Sequence, residues 1–261
     1  MGNPAPHRAR KRFGQHFLHD QDIIERILRS INPQEGENLV EIGPGQGALT
    51  YPLLKVCKKL IAIELDRDLV PILNRESRRY GELEVINADI LEFELASLDP
   101  QKTYRLVGNL PYNISTPLMF HLLKSARQIE DMHFMVQKEV ALRIVANPGD
   151  SNYGRLSVML QYRCACQYLF DVAPGSFSPP PKVDSAVIRL TPLPAPEHDI
   201  GDYAKFAAIV QAAFGQRRKT ISNSLKSVLK REAIIACDID PTLRAENLSI
   251  ADFASLSRAC T

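Results

Sequence analysis

A short apolar run, Leu39-Val40-Glu41-Ile42, breaks into Gly43-Pro44-Gly45-Gln46-Gly47 and resumes as Ala48-Leu49-Thr50 with helical character. A buried strand that ends in a glycine loop and restarts as a helix opens a βα unit, and the loop's backbone can approach a ligand where any Cβ would clash. Gly43, Gly45 and Ala48 satisfy the G-x-G-x-x-G/A spacing. Glu64, about 20 residues on, is the acid expected to hold ribose hydroxyls. Further strand-like runs end in the same manner. Leu83–Ile86 leads into Asn87-Ala88-Asp89-Ile90, and 104–107 leads into Gly108-Asn109-Leu110-Pro111-Tyr112. Open α/β sheets bind ligands at the carboxyl ends of their strands, so four successive ends of this composition describe a site.

The chemistry of each end follows from its donors and acceptors. Asp89 can accept from an adenine amino group while the Ile90 N–H donates to a ring nitrogen. In Asn109-Leu110-Pro111-Tyr112 the Asn109 side-chain oxygen and the Leu110 carbonyl can accept both N–H bonds of a second exocyclic amine. Pro111 stiffens the turn, and Tyr112 can stack on a base drawn out of its helix. Taken singly, these residues read as ordinary turns and caps. Together they describe a nucleotide cofactor facing an amine-bearing base. A nicotinamide dehydrogenase would use the same loop and Glu64, but it has no need of Asn109–Tyr112. A DNA adenine methyltransferase shares that tetrapeptide, yet usually carries a target-recognition region larger than residues 197–261 provide.

Strands are expected at 39–42, 60–63, 83–86, 104–107 and 132–137, with helices between most of them, which predicts right-handed βαβ units and a mostly parallel sheet. Asp20 caps a helix striped by Ile23, Ile24, Ile27, Leu28 and Ile31. Helices near 138–146 and 154–162 precede a closing hairpin of 164–172 and 184–190. Three prolines in Thr191-Pro192-Leu193-Pro194-Ala195-Pro196 forbid helix and sheet ladder alike and make a stiff linker. Beyond it Tyr203, Phe206, Ala207, Val210 and Phe214 recur at helical spacing, and 220–230 and 250–259 continue as helices. The domains expected are 1–191, a linker at 192–196, and an all-helical domain over 197–261.

The chain has 261 residues, 45% of them hydrophobic, enough for one substantial α/β core and a small second domain. It has no apolar run of membrane-spanning length, and its basic N-terminus lacks the apolar stretch of a secretory signal, so a cytoplasmic protein is expected. Five scattered cysteines imply neither disulfides nor zinc. The net charge is only +2. Its distribution is uneven: Arg8, Arg10, Lys11 and Arg12 in the N-terminal segment 1–19, and Arg217, Arg218 and Lys219 near the linker, stand free of acidic neighbours and are candidates for RNA phosphate contact.

These residues resemble the S-adenosylmethionine-dependent small-subunit ribosomal RNA adenine N6-dimethyltransferases, the KsgA/RsmA family. The resemblance covers almost the whole chain. It rests on Arg12-Phe13-Gly14-Gln15-His16-Phe17-Leu18, Glu41–Gly45, Ile63-Glu64-Leu65-Asp66, Asn109–Ser115, Gly175–Val187, Gln216–Thr220 and Arg244–Leu248. It implies a Rossmann-like class I methyltransferase with a seven-stranded sheet. S-adenosyl-L-methionine would be held by Gln15, His16, Leu18, Glu41, Gly43, Gly45, Gly47, Glu64, Leu65, Asp89, Ile90 and Asn109. Catalysis would fall to Asn109, Leu110, Pro111, Tyr112 and Phe177. Phe177 resembles the family's second aromatic, which closes on the base, although a loop anchor packed on the core is an equal reading of the same residue. His16 stands where the family often has Asn, and an imidazole still offers one hydrogen bond. The implied substrate is a pair of adjacent adenosines in a hairpin near the 3′ end of small-subunit rRNA. The implied partner is the small-subunit precursor, met by a monomer without a metal. A large-subunit methyltransferase of the antibiotic-resistance type, or a non-catalytic RNA-binding assembly factor on the same fold, is the alternative.

Overall fold

The computed structural model describes residues 16–216 and 218–260. In chain order the elements are β1 (Phe17–Leu18), α1 (Gln21–Ile31), β2 (Leu39–Ile42), α2 (Thr50–Cys57), β3 (Lys59–Glu64), α3 (Val70–Ser77), β4 (Glu82–Asn87), β5 (Tyr104–Asn109), α4 (Ser115–Leu122) and β6 (Ile129–Gln137). They continue with α5 (Lys138–Val145), α6 (Arg155–Gln161), β7 (Cys164–Val172), β8 (Phe177–Ser178), β9 (Ser185–Pro192), α7 (Tyr203–Phe214), α8 (Ile221–Ser224), α9 (Arg231–Ala236) and α10 (Ile250–Ala259). Two compact units divide the chain: residues up to Ala141 with Gln167–Pro192, and Leu142–Cys166 with the residues from Leu193 on.

The first unit is built on a seven-stranded sheet in the order β4-β3-β2-β5-β6-β9-β7. β2 pairs in parallel with β3 and β5, β3 with β4, and β5 with β6, whereas β9 runs antiparallel to β6. Strand order therefore reverses between β2 and β5, the switch point that leaves a crevice at the strands' carboxyl ends. The expected parallel sheet and its closing strands are present. Asp20 caps α1, its Oδ1 accepting from the N–H groups of Asp22 and Ile23 at 3.1 and 3.3 Å. Ile24, Ile27 and Ile31 bury the helix against Leu39, Leu53, Leu54 and Val107. β9 runs through Thr191 and Pro192, two residues into the proline-rich stretch, because a strand's last residue can forgo its N–H bond.

At the amino-terminal end of β5, in the expected apolar run, lies an ionic cluster around Arg105. That side chain donates to Asp131 at 3.0 and 3.1 Å, to Glu37 at 2.9 Å and to the Ile31 carbonyl at 2.6 Å, and Arg189 meets Asp131 at 2.9 Å. Burial alone would raise the Asp131 carboxyl. Contact with His133 at 3.6 Å and the bonds from Arg105 outweigh it and hold the group well below the usual carboxylate range.

The second unit is helical. Asp202 caps α7, and a Ser249–Asp252 capping box starts α10. Phe206, Ile209, Val210 and Ala213 are buried, and the rings of Tyr162 and Phe206 and of Phe214 and Phe253 pack at 5.0 and 5.6 Å. Tyr203, the first of the residues at helical spacing, is 44% exposed. The helix expected over 220–230 stops after Ser224, and Leu225–Leu229 closes as a turn with Val228 and Leu229 N–H bonded to the Leu225 carbonyl. The i,i+4 pair Leu225 and Leu229 is buried by this turn.

Candidate active site

Glycine geometry sets the floor of the crevice. Gly45 has φ +56° and donates its N–H to Glu64 Oε2 at 3.1 Å, while a Cβ there would press on the Phe17 ring at 3.2 Å. At Gly108 a Cβ would meet the Ile42 carbonyl at 2.5 Å, so only glycine lets β5 deliver Asn109 beside the loop that follows β2. The crevice is a cavity of about 310 Å³. His16, Leu18, Glu41, Gly43, Gly45, Glu64, Leu65, Asp89, Ile90, Asn109, Leu110, Pro111 and Tyr112 all line it, so the four strand ends read from the sequence converge on one space.

Three acids stand at or near the strand ends, in different environments. Glu64 is 5% exposed and accepts from the N–H groups of Asp66 at 2.8 Å and Gly45 at 3.1 Å. Burial raises its carboxyl, and the two N–H bonds oppose that shift. Glu41, also buried, accepts from Thr50 Oγ1 at 2.6 Å. Burial pushes its carboxyl up to about 8, the Thr50 bond opposes the rise, and neighbouring Glu64 adds to it. Asp89 Oδ1 accepts from the Leu91 N–H at 2.9 Å.

The target-side motif is fixed from several directions. Asn109 donates Nδ2 to the His16 carbonyl at 3.0 Å, which sets the amide and leaves Oδ1 as its free acceptor face. The Leu110 N–H bonds to the Met135 carbonyl at 3.0 Å. Pro111 closes a turn onto the Ile114 N–H at 3.1 Å, from which α4 starts. Tyr112 shares a 2.6 Å bond between its hydroxyl and Ser185 Oγ, and its ring stacks on that of His16 with centroids 5.6 Å apart and planes at 28°. Ser185 starts β9. A strand-start serine carries no signal of its own.

Gly47 and Phe177 do not line the cavity. A Cβ on Gly47 would strike the Tyr51 ring at 2.4 Å, so this glycine serves the turn into α2. Phe177, read either as a base-closing aromatic or as a core anchor, is 2% exposed and pairs with Leu18 between β8 and β1, within the cluster of Leu18, Phe170 and Val172. In the structure the Phe177 ring packs as a core anchor. An uncharged ring with no polar handle is driven to the core. Gln15, Arg8, Arg10, Lys11, Arg12 and Arg217 lie outside the described residues. Arg218 and Lys219 are exposed in the helical unit, where Arg218 borders an open cleft with Gly149, Ser151, Arg244 and Glu246. Arg244 sits 3.8 Å from Glu246.

The residues present suit a nucleoside cofactor. A buried carboxylate accepts from the backbone of a glycine held at φ +56°, Asp89 follows the end of β4, and both acids line one cavity. With the sheet order and the Asn109–Tyr112 motif, they define an S-adenosylmethionine-dependent methyltransferase of the Rossmann-like class. A family model, Ribosomal RNA adenine dimethylase, matches residues 6–261, and the chain belongs to that family. It is 52% identical over 258 residues to the Ribosomal RNA small subunit methyltransferase A of Marinomonas sp. (strain MWYL1), covering 98% of this chain and 97% of that one. It is 54% identical to the protein of the same name from Pseudomonas aeruginosa, covering 98% and 96%. Among solved structures it is similar to a dimethyladenosine transferase from Plasmodium falciparum, with 28% identity, TM-score 0.76, and 92% and 96% coverage. It is also similar to the 23S rRNA methyltransferase ErmE, with 25% identity, TM-score 0.72, and 94% and 99% coverage.

Proposed function

We propose that this enzyme transfers methyl groups to N6 of two adjacent adenosines in a hairpin near the 3′ end of small-subunit rRNA, acting on the small-subunit precursor during its maturation. The observation that carries this reading is the orientation of Asn109, whose Nδ2 is tied to His16 so that Oδ1 is left to accept from a base stacked on Tyr112. Identity above 50% to small-subunit enzymes, against 25% to a large-subunit one, favours the small-subunit substrate. We further propose that it works in the cytoplasm as a monomer. Among the described residues no helix is long and apolar enough to cross a membrane.

S-adenosylmethionine, held by Glu64, Asp89, Ile90 and the Gly43–Gly45 loop, supplies an electrophilic methyl group. The adenine amine is a poor nucleophile because its lone pair is delocalised into the ring. Acceptance of its two N–H bonds by Asn109 Oδ1 and the Leu110 carbonyl draws the nitrogen towards a pyramidal geometry. Tyr112 holds the base in line for displacement. The N–C bond would form as the bond from sulfur to the methyl group breaks and S-adenosylhomocysteine leaves; the nitrogen becomes acidic only as it gains carbon, so its proton can pass to water and no strong base is required. For the second transfer one N–H remains, and one of the two acceptors suffices. In this division of work residues up to about 191 carry the chemistry, and the helical residues from about 197 hold RNA through Arg218 and Lys219.

The test is methyl transfer in vitro from labelled S-adenosylmethionine to purified small- or large-subunit particles lacking the modification. Label in adenosine N6 of the small-subunit rRNA alone is expected. Label confined to large-subunit rRNA, or to neither, refutes the proposal.

A further inference from the structure

We infer that Ser185 is a positioning residue for methyl transfer: its hydroxyl tethers the far end of the Tyr112 ring and so holds the face on which the target base stacks. The inference rests on the proposed reading of Tyr112 as the stacking face of the base pocket. Tyr112 Oη and Ser185 Oγ are 2.6 Å apart, although 73 positions separate the two residues in the chain. Strand register explains the meeting. Asn109 pairs with Met135 between β5 and β6, and Met135 pairs with Val187 between β6 and β9. β9 runs antiparallel to β6, so its first residue, Ser185, lies opposite Gln137, the last residue of β6. That end of the sheet is the one from which Asn109–Tyr112 emerges, two strands away.

The tether acts on a freedom that the backbone leaves open. The Leu110 N–H is bonded to the Met135 carbonyl at 3.0 Å, and the Tyr112 carbonyl accepts from Ser115 Oγ at 3.1 Å, so the main chain on either side of the ring is held. A tyrosine side chain can still swing about Cα–Cβ, and the hydroxyl, farthest from that bond, moves most. The two partners differ in freedom. Tyr112 is half-buried and lines the cavity, whereas Ser185 is fully buried in a paired strand. The serine is therefore the fixed post and the ring is the part it holds. Burial raises the Tyr112 phenol above its ordinary value and the Ser185 bond opposes the rise, so the hydroxyl keeps its proton at neutral pH and acts as a tether, not as a base. Displacement at the sulfonium methyl needs the amine in line, and a misplacement of about 1 Å can cost on the order of 100-fold in rate. A ring that drifts carries with it the base stacked on it.

The alternative is that the bond only knits β9 to the loop after β5. A double-mutant cycle on Ser185→Ala and Tyr112→Phe separates the two, because each variant removes one hydroxyl of the pair. The readouts are the single-turnover rate of methyl transfer to small-subunit particles, with enzyme in saturating excess, and the affinity for S-adenosylhomocysteine by calorimetry. Each single variant is expected to slow transfer on the order of 5-fold, as the loss of one hydrogen bond would. The double variant should be no slower than the slower single one, and S-adenosylhomocysteine affinity should stay within about twofold of wild type in all three. If either single variant transfers at the wild-type rate, no tether operates and the inference is wrong. If the two losses multiply in the double variant, Ser185 acts through something other than Tyr112, and the inference is again wrong. A fall in S-adenosylhomocysteine affinity that matches the fall in rate would make the bond a support of the whole crevice and overturn it likewise. Tyr112→Ala tests the underlying reading separately: if it too transfers at the full rate, the base-pocket reading itself falls.

Discussion

Asn109 and His16 lie 93 positions apart in the chain, and the side-chain amide of the first donates to the backbone carbonyl of the second at 3.0 Å. That bond joins the N-terminal segment to the carboxyl end of β5 and decides which atom of the amide faces the substrate. An Asn free to flip would present NH₂ and C=O in turn, and only the oxygen can accept from an amine. The latch is made to backbone, so it survives any side chain at position 16.

Glu64→Ala should weaken binding of S-adenosylmethionine by ~1–3 kcal/mol, the cost of removing a charged acceptor. The variant also strands the N–H groups of Gly45 and Asp66, which now bond to this carboxylate. Calorimetric titration measures the change, and an unaltered affinity would remove Glu64 from the cofactor site.

Glu41 predicts a pH dependence of stability. Its carboxyl is raised from 4.5 to about 8 by burial, so the folded state holds the proton more tightly than the unfolded chain. This contribution is complete below pH 4.5 and is lost as pH rises towards 8. Glu41→Gln keeps an acceptor for Thr50 and removes the titration. Thermal unfolding of both proteins from pH 5 to pH 8.5 should show a shallower decline for the variant, with a differential on the order of a few kcal/mol. Parallel curves would mean that Glu41 is charged in the fold.

Asp131 behaves with the opposite sign. Its folded value is depressed below 3.8, so its contribution is present above pH 3.8 and fades as the carboxylate is protonated in acid. Asp131→Ala leaves Arg105 buried without its main partner and should cost ~3–5 kcal/mol at neutral pH. Denaturant titration at pH 7 and at pH 3.5 should show a smaller gap between variant and wild type at the lower pH. A gap that does not shrink would assign the effect to packing alone.

Much of the site could be read in advance because its residues sit at strand ends, where the topology leaves a side chain no other neighbourhood. Glu64, Asp89 and Asn109 follow runs whose apolar character marks them as buried strands, so their convergence needs only the parallel sheet. Contacts between distant segments had no such marker. Arg105 interrupts an apolar run, and nothing local says that Glu37 and Asp131 wait for it across the sheet. Phe177 carries one aromatic signal that serves a pocket or a core equally well, and its packing with Leu18 and Phe170 is visible only in three dimensions. The stacking of His16 on Tyr112 depends on where the N-terminal segment returns to the sheet, a placement that follows from β1 pairing with β8.

Arg218 and Lys219 supply the expectation for RNA. Replacing both with Glu should weaken binding to small-subunit particles and flatten its salt dependence, since the slope scales with the number of phosphates neutralised. Cofactor affinity should be unchanged. Titrations at several salt concentrations measure both quantities, and identical slopes would return these residues to the role of a solvated surface.

The most direct measurement is mass spectrometry of small-subunit rRNA from cells lacking this protein, complemented with wild type or with Asn109→Ala. Wild type should restore N6,N6-dimethyladenosine at the two adjacent positions. The Asn109→Ala protein, deprived of the acceptor that orients the amine, should be expressed and folded yet leave both adenosines unmethylated. Full dimethylation in its presence, or dimethylation that persists without the protein, would contradict the account.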